Sequence, residues 1–313
     1  MKILVTGSNG FIGRAFCIEA ASRGFGVRAA SRFFSSSPEN NDCVAVGSID
    51  ANTNWSDALK DCDVVVHLAA RAHVMNETSH DPLMEFRKVN VEGTLNLARQ
   101  AIAMGLRRFI YISSIGVNGA ETCVAPFGVM DEPTPHSDYA LSKYEAELGL
   151  RKLASETGIE LVIIRPPLVY GPNTPGKFGA LMRWLQRGVP LPLGAVTQNR
   201  RSLLALDNLV DFILTCVQHP KAMNQIFLVS DGVDLSTTEL LQKMGQAMNR
   251  PVRLLPVPAR FLVFTANLFG KRATAQSLMG SLQVDVSQTY EVLNWSPPVS
   301  VDEGLRRAVE VRG

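Results

Sequence analysis

Charge of one sign is what this sequence has least of. Its 31 basic residues nearly balance 29 acidic ones for a formal charge of +2, and no block of like charges interrupts the mixture, which excludes a nucleic-acid backbone or an anionic membrane surface as the expected partner. Any anion it binds is bound locally. Cysteine is scarce: Cys17, Cys43, Cys62, Cys123 and Cys216 are scattered, odd in number and without C-x-x-C spacing, so they read as reduced packing residues rather than a disulfide framework or a zinc site. The histidines are no more suggestive of a metal. His67, His73 and His80 lack ligand spacing on one helix face, His67 reads as a satisfied core residue of a buried strand, and no metal is expected. Long apolar runs are missing as well. Phe261 to Phe269 is the most apolar segment near the C-terminus, under half the roughly 20 residues that cross a bilayer. It reads as a buried or groove-lining helix, interfacial membrane binding being the alternative, and stable insertion is not expected. At the other end, glycines and Asn9 interrupt the first apolar run too early for a secretory leader, so a cytoplasmic chain is expected.

What the chain does have is 46% apolar residues over 313 positions, ample for one large or two modest domains. Lys2-Ile-Leu-Val5 reads as a short strand, Thr6 to Gly13 as a glycine loop, and the residues from Gly13 onward as a helix. Gly7 permits the tight turn, Gly10 close approach of backbone to a pyrophosphate, and Gly13 close packing of helix on sheet, with the helix's first amides facing the phosphate. The motif therefore points to a dinucleotide, and Phe11 and Ile12 fall in its helical turn. Further strands are expected at 27–32, 44–46, 63–69, 108–113, 160–164 and 225–229, with helices at 57–60, 82–104 and 137–156 between them. Asp81-Pro82 marks the start of the second of these helices. This alternation implies an α/β fold, a Rossmann-type doubly wound parallel sheet. From Arg165 onward proline and glycine break the pattern. The expected division is a dinucleotide-binding domain over 1–165 plus about 203–231, and a smaller C-terminal substrate-binding domain over about 166–202 plus 232–313. Within the latter, Ser236-x-x-Glu239 and Ser300-x-x-Glu303 read as capping boxes.

Tyr139-Ala-Leu-Ser-Lys143 is the second signal. Four residues of spacing put both side chains on one helix face, where the ammonium favours the phenolate and makes the phenol a usable proton shuttle. Together with the G-x-x-G-x-x-G spacing and its Gly-Phe-Ile-Gly ending, this resembles the short-chain dehydrogenase/reductase superfamily. Within it the resemblance is to the extended, nucleotide-sugar branch of NAD-dependent epimerases and dehydratases (UDP-glucose 4-epimerase-like). The resemblance implies that Ser114 holds the substrate oxygen, Tyr139 passes it a proton, and Lys143 bridges the ribose and tunes Tyr139. It also implies cofactor contacts from the segment Val66 to Ala70 (Leu68, Ala69, Ala70), from Asn90, from Ile49 at the third strand and from Pro166 beside the nicotinamide. Arg201, before Leu206-Asp207-Asn208, would meet a nucleotide-sugar diphosphate as a planar guanidinium.

The departures from the family pattern are equally specific. Ile115-Gly116 follow Ser114 where 4,6-dehydratases carry Asp-Glu, which argues against that reaction. Ser31-Arg32 replace the acid that accepts NAD ribose hydroxyls, so Arg32 favours NADP, with NAD the alternative. Leu168 stands where many members carry an asparagine. Arg165 to Pro172 and Pro190 to Gly194 look like the bacterial enzymes that reduce UDP-4-keto-6-deoxy-hexosamines for surface-polysaccharide synthesis. An NADP-dependent reductase of that kind is thus expected. The alternatives are a UDP-hexose 4-epimerase with bound NAD and, more distantly, a non-catalytic dinucleotide-sensing protein. The family also implies a homodimer through the helices at 82–104 and 138–156.

Overall fold

The computed structural model describes residues 1–33, 42–72, 81–268, 276 and 278–310. Strands β1 (Lys2–Thr6), β2 (Gly26–Ser31), β3 (Cys43–Ala45), β4 (Val64–His67), β5 (Arg108–Ile112), β6 (Glu160–Arg165) and β9 (Gln225–Leu228) form a seven-stranded sheet in the order β3-β2-β1-β4-β5-β6-β9. Every pairing in it is parallel. The sheet is therefore the expected doubly wound one. Its order reverses beside β1 and β4, where a crevice opens at the strands' carboxyl ends. The central strands are buried on both faces, as unbroken Val64-Val-Val66 and Arg108 to Ile112 require.

On one face, Ile3, Val5, Val64, Val66 and Ile110 pack with helices α1 (Phe11–Ser22) and α7 (Leu206–Gln218). On the other, Leu4, Val65, Phe109 and Tyr111 pack with α2 (Ser56–Leu59), α4 (Thr94–Ala103) and α5 (Asp138–Thr157). The helix expected over 82–104 is broken into α3 (Pro82–Arg87), a π-helical segment Lys88–Gly93, and α4. Asp81 caps α3 by accepting from Met84 N at 3.0 Å. The wider turn has a visible purpose: it swings Asn90 into the interior, and Gly93 lies so close to Ile49 that an added Cβ would stand 2.6 Å from Ile49 Cγ2.

A third apolar cluster, from Tyr170 to Ala308, joins α6 (Gly176–Gln186), α8 (Thr237–Ala247) and, after α9 (Ala259–Leu268) and α10 (Ser287–Leu293), the last helix α11 (Val301–Val309). Two three-residue strands unforeseen among the prolines, β7 (Leu168–Tyr170) and β8 (Leu203–Ala205), pair in parallel beneath it. Ser236 and Glu239 form a complete capping box. The Ser300 box is half made: Ser300 Oγ accepts from Glu303 N, but the Glu303 carboxylate is drawn away to Arg306 and Arg307. The apolar segment from Phe261 is helical as expected but is not buried. Phe261, Phe264 and Leu268 are all exposed, while Leu262 of the same helix packs partly buried against the third cluster, and Phe269 lies outside the described residues. Cys123 is likewise exposed rather than packed.

Phe212 ties the C-terminal segment to the sheet, with its ring edge-on to Phe227 at 5.5 Å and to Trp295 at 4.9 Å. Truncating so buried an aromatic leaves a cavity and loses its transfer energy. Phe212→Ala is expected to cost about 3–5 kcal/mol in urea unfolding with an unchanged m-value.

Candidate active site

The loop between β1 and α1 is shaped by contacts that leave no room for side chains. Gly7 has φ of +67°, and Gly13 sits so tightly that a Cβ there would stand 2.1 Å from the Gly7 carbonyl oxygen. Helix α1 starts at Gly10 with no side chain capping it and no acid in its first turn. Its first amides are thus left for an anion, which the positive end of the helix dipole favours. Phe11 and Ile12 occupy that turn, half-buried against the first apolar cluster. Ser8 fixes the loop to β2 by donating to Ala30 O at 3.1 Å. This cradle fits a dinucleotide pyrophosphate.

Thr6, His67 and Thr94 form a buried chain beneath it, with Thr6 Oγ1 to His67 Nδ1 at 2.7 Å and His67 Nε2 to Thr94 Oγ1 at 2.9 Å. Burial, aided by Lys143, pushes the imidazole down to about 3, so His67 is neutral and structural. Leu68 N and Ala69 N both donate to Thr6 Oγ1 at 3.2 Å, which draws the segment Leu68 to Ala70 against the glycine loop. His73 and His80 lie outside the described residues.

Asn90, turned inward by the π-helical segment, accepts from Arg71 N at 2.8 Å and donates to Arg71 O and to Ser142 Oγ. Its polar atoms are thus spent on the protein, locking the strand-four segment to α5 beside the glycine loop. Ile49 packs on Gly93 of the same segment.

Ser114 follows β5 in extended conformation, its Oγ accepting from Gly116 N at 3.1 Å. The chain there is held to the end of β6 by Ser113 N to Ile164 O (2.7 Å) and Ile115 N to Pro166 O (3.0 Å). The Pro166 carbonyl is thereby placed next to the serine. Tyr139 and Lys143 share a face of α5, and the Tyr139 ring meets Phe86 of α3 edge-on at 6.1 Å. Burial pushes the Tyr139 phenol up to about 12 and the Lys143 ammonium down to about 7, with Glu147 pulling the latter partly back. Sequence spacing alone suggested a phenol lowered by its lysine. Here desolvation alone sets the direction, and Lys143 Nζ rests 4.2 Å above the ring centroid of Tyr111. No hydrogen bond to a described residue holds this ammonium, which leaves its three donors available to a ribose diol.

Glu147, one further turn along α5, was missed by sequence reasoning although the same four-residue spacing marks it. It forms a buried two-point pair with Arg165, Nε to Oε1 at 3.0 Å and Nη2 to Oε2 at 2.5 Å, while Arg165 Nη1 donates to Asn118 Oδ1 at 3.0 Å. Arg201 is the inner member of its Arg-Arg pair. Its backbone bridges Leu235 and Leu282, its Nη1 donates to Gly280 O at 3.0 Å, and burial lowers its pKa with no acid among its causes. Leu282 packs in one cluster with Ile115, which brings Arg201's segment to the neighbour of Ser114. Arg32, by contrast, is exposed at the end of β2 and makes no ion pair to a described residue.

Two expectations follow. Lys143→Met removes a buried charge, so the variant should unfold at higher urea than the parent below about pH 7, while dinucleotide affinity falls. Between about pH 7 and the ordinary lysine value of 10.5 the unfolded chain binds a proton the folded parent does not, so the parent gains stability with rising pH and the difference shrinks. Glu147→Gln strands Arg165 and is expected to cost about 3–5 kcal/mol in the same assay.

Comparison with known proteins agrees with this geometry. The model of the NAD dependent epimerase/dehydratase family matches residues 3–230. A UDP-glucose 4-epimerase of Vibrio cholerae is 46% identical over 311 residues, covering 99% of this chain and 94% of that protein. The crystal structure of a UDP-glucose 4-epimerase with UDP-glucose from Thermotoga maritima has a TM-score of 0.78 at 24% identity, covering 99% of this chain and 97% of that one. That of UDP-glucuronic acid 4-epimerase from Bacillus cereus in complex with NAD has a TM-score of 0.77 at 21% identity, covering 98% and 97%. At such identities the two structures speak for the fold.

Proposed function

The chain belongs to the NAD-dependent epimerase/dehydratase family, and we propose that it is a UDP-hexose 4-epimerase acting through Ser114, Tyr139 and Lys143. The observation that carries the reading is half-buried Tyr139 and buried Lys143 on one face of α5, close to the serine turn after β5, in a chain 46% identical to a UDP-glucose 4-epimerase. A bound dinucleotide supplies the hydride acceptor and, once reduced, the donor. The uncapped start of α1 would receive its pyrophosphate and Lys143 its ribose hydroxyls, with Leu68, Ala69, Ala70, Ile49 and Pro166 as further contacts. Ser114 holds the oxygen on sugar C4. Tyr139 would take that oxygen's proton when C4 is oxidised and return it when C4 is reduced from the opposite face. Lys143 supplies the positive charge that lets a phenol pushed up by burial accept the proton. Arg201, a desolvated guanidinium without a carboxylate, receives the substrate diphosphate. The described residues of about 166–202 and of 232–310 would cover the sugar nucleotide, and a homodimer through α3 to α5 would bury exposed Met84 and Leu148.

One observation favours a second net reaction at the same site. Arg32, exposed and without an ion-pair partner among the described residues at the end of β2, suits a 2′-phosphate. NADP-dependent reduction of a UDP-4-keto-6-deoxy-hexosamine for surface polysaccharide would use it. Denaturing the purified protein and identifying the released dinucleotide separates the two. Epimerisation predicts retained NAD. An empty site that prefers NADPH, with the preference lost in Arg32→Ala, establishes the reductase instead.

Tyr139→Phe keeps the ring and its contact with Phe86 but loses the proton. Turnover is expected to fall about 10²–10⁴-fold with dinucleotide affinity unchanged. Equal turnover in the two proteins rules out the mechanism.

A further inference from the structure

The space beside Ser114 is filled by a side chain from another part of the chain. Gly116, two residues after the serine, has no Cβ, and His136 lies over it, Nδ1 3.2 Å from Gly116 O. A Cβ built on Gly116 would stand 3.0 Å from His136 Cε1, 3.3 Å from Ser114 Oγ and 3.4 Å from the Ala140 methyl. The imidazole, the catalytic-site serine and the first turn of α5 therefore surround one point. His136 also precedes Tyr139 by three residues, at the loop that enters α5 through the Ser137 cap, where Ser137 Oγ accepts from Ala140 N at 3.2 Å.

The tautomer follows from the partner. A carbonyl oxygen only accepts, so Nδ1 carries the proton, and in the neutral ring Nε2 is then an acceptor. Nε2 has no hydrogen-bond partner among the described residues, and the side chain is exposed rather than packed away.

We propose that His136 is a substrate-contacting residue, whose Nε2 accepts a hydrogen bond from a sugar hydroxyl near C4, either on the adjacent C3 or on C6, which is carried by C5. The inference rests on the assignment of Ser114 to the sugar's C4 oxygen. It gives Gly116 a reason: any side chain there would displace the ring from the serine. It also adds a requirement for a hydroxyl donor that Ser114 and Tyr139, addressing the C4 oxygen itself, do not impose.

The experiment compares His136→Asn and His136→Ala with the parent. Asparagine reproduces the Nδ1 donor to Gly116 O but has no group in the place of Nε2. With UDP-glucose and UDP-N-acetylglucosamine as substrates, both variants should raise KM about five- to tenfold at nearly unchanged kcat. NAD affinity and melting temperature should stay at the parent's values. UDP-3-deoxyglucose or UDP-6-deoxyglucose, whichever lacks the contacted hydroxyl, should show the same loss with the parent and no further loss with the variants. Parental KM in His136→Asn alongside a loss in His136→Ala would reduce His136 to a prop for the Gly116 carbonyl and overturn the inference. So would parental KM in both. If the parent neither turns over nor binds either UDP-sugar by calorimetry, the proposed function falls and the contact with it; a parent that turns over normally isolates the test to His136.

Discussion

A charge buried in the sheet-facing side of α5 is the constraint on which the site depends. Lys143 and Glu147 both lie almost entirely out of water, and each such ion costs several kcal/mol to desolvate. Arg165 at the end of β6 offsets that for Glu147 with a two-point pair and an added bond to Asn118. Asn118 in turn donates to Gly128 O, and its carbonyl accepts from Thr134 Oγ1. One polar chain thus runs from α5 through the end of β6 to the loop that carries His136 towards α5. Lys143 is compensated less completely, by the Tyr111 ring and the more distant Glu147. That leaves it pushed down to about 7 and short of acceptors, a state that costs stability and would suit the ribose contact proposed for it.

The parts of this arrangement that were legible in the sequence are those whose chemistry is local. Glycine spacing announced the turn off β1, alternating apolar runs announced the parallel sheet, and Tyr139 and Lys143 announced each other because helix geometry makes four residues of separation a contact. The parts that were not legible join distant segments. Glu147 needs Arg165 from the next strand, Asn90 needs a π-helical turn in what reads as an unbroken helix, and β7 and β8 are three residues each amid prolines. The pKa directions were also hidden, since a lysine beside a tyrosine lowers the phenol only if burial does not raise it more.

Arg32 and the family likeness pull in different directions, and the physics says why both matter. The glycine loop, the strand-four segment and Lys143 would serve either dinucleotide in the proposed roles, so they do not discriminate. A guanidinium at the end of β2 bears on the 2′ position alone. Retention of cofactor through a cycle, in turn, would be a property of the whole crevice rather than of one residue. The same serine, tyrosine and lysine would perform the C4 step in either proposed net reaction, which is why that step, rather than the product, is the centre of the account.

Hydride transfer at C4 is tested most directly with a label. UDP-glucose and UDP-N-acetylglucosamine carrying deuterium at C4 are incubated with the purified protein and NAD, and the products are read by mass spectrometry and NMR. The account predicts the C4 epimer with deuterium kept at C4. Deuterium lost to solvent, or an epimer formed at another carbon, would contradict it.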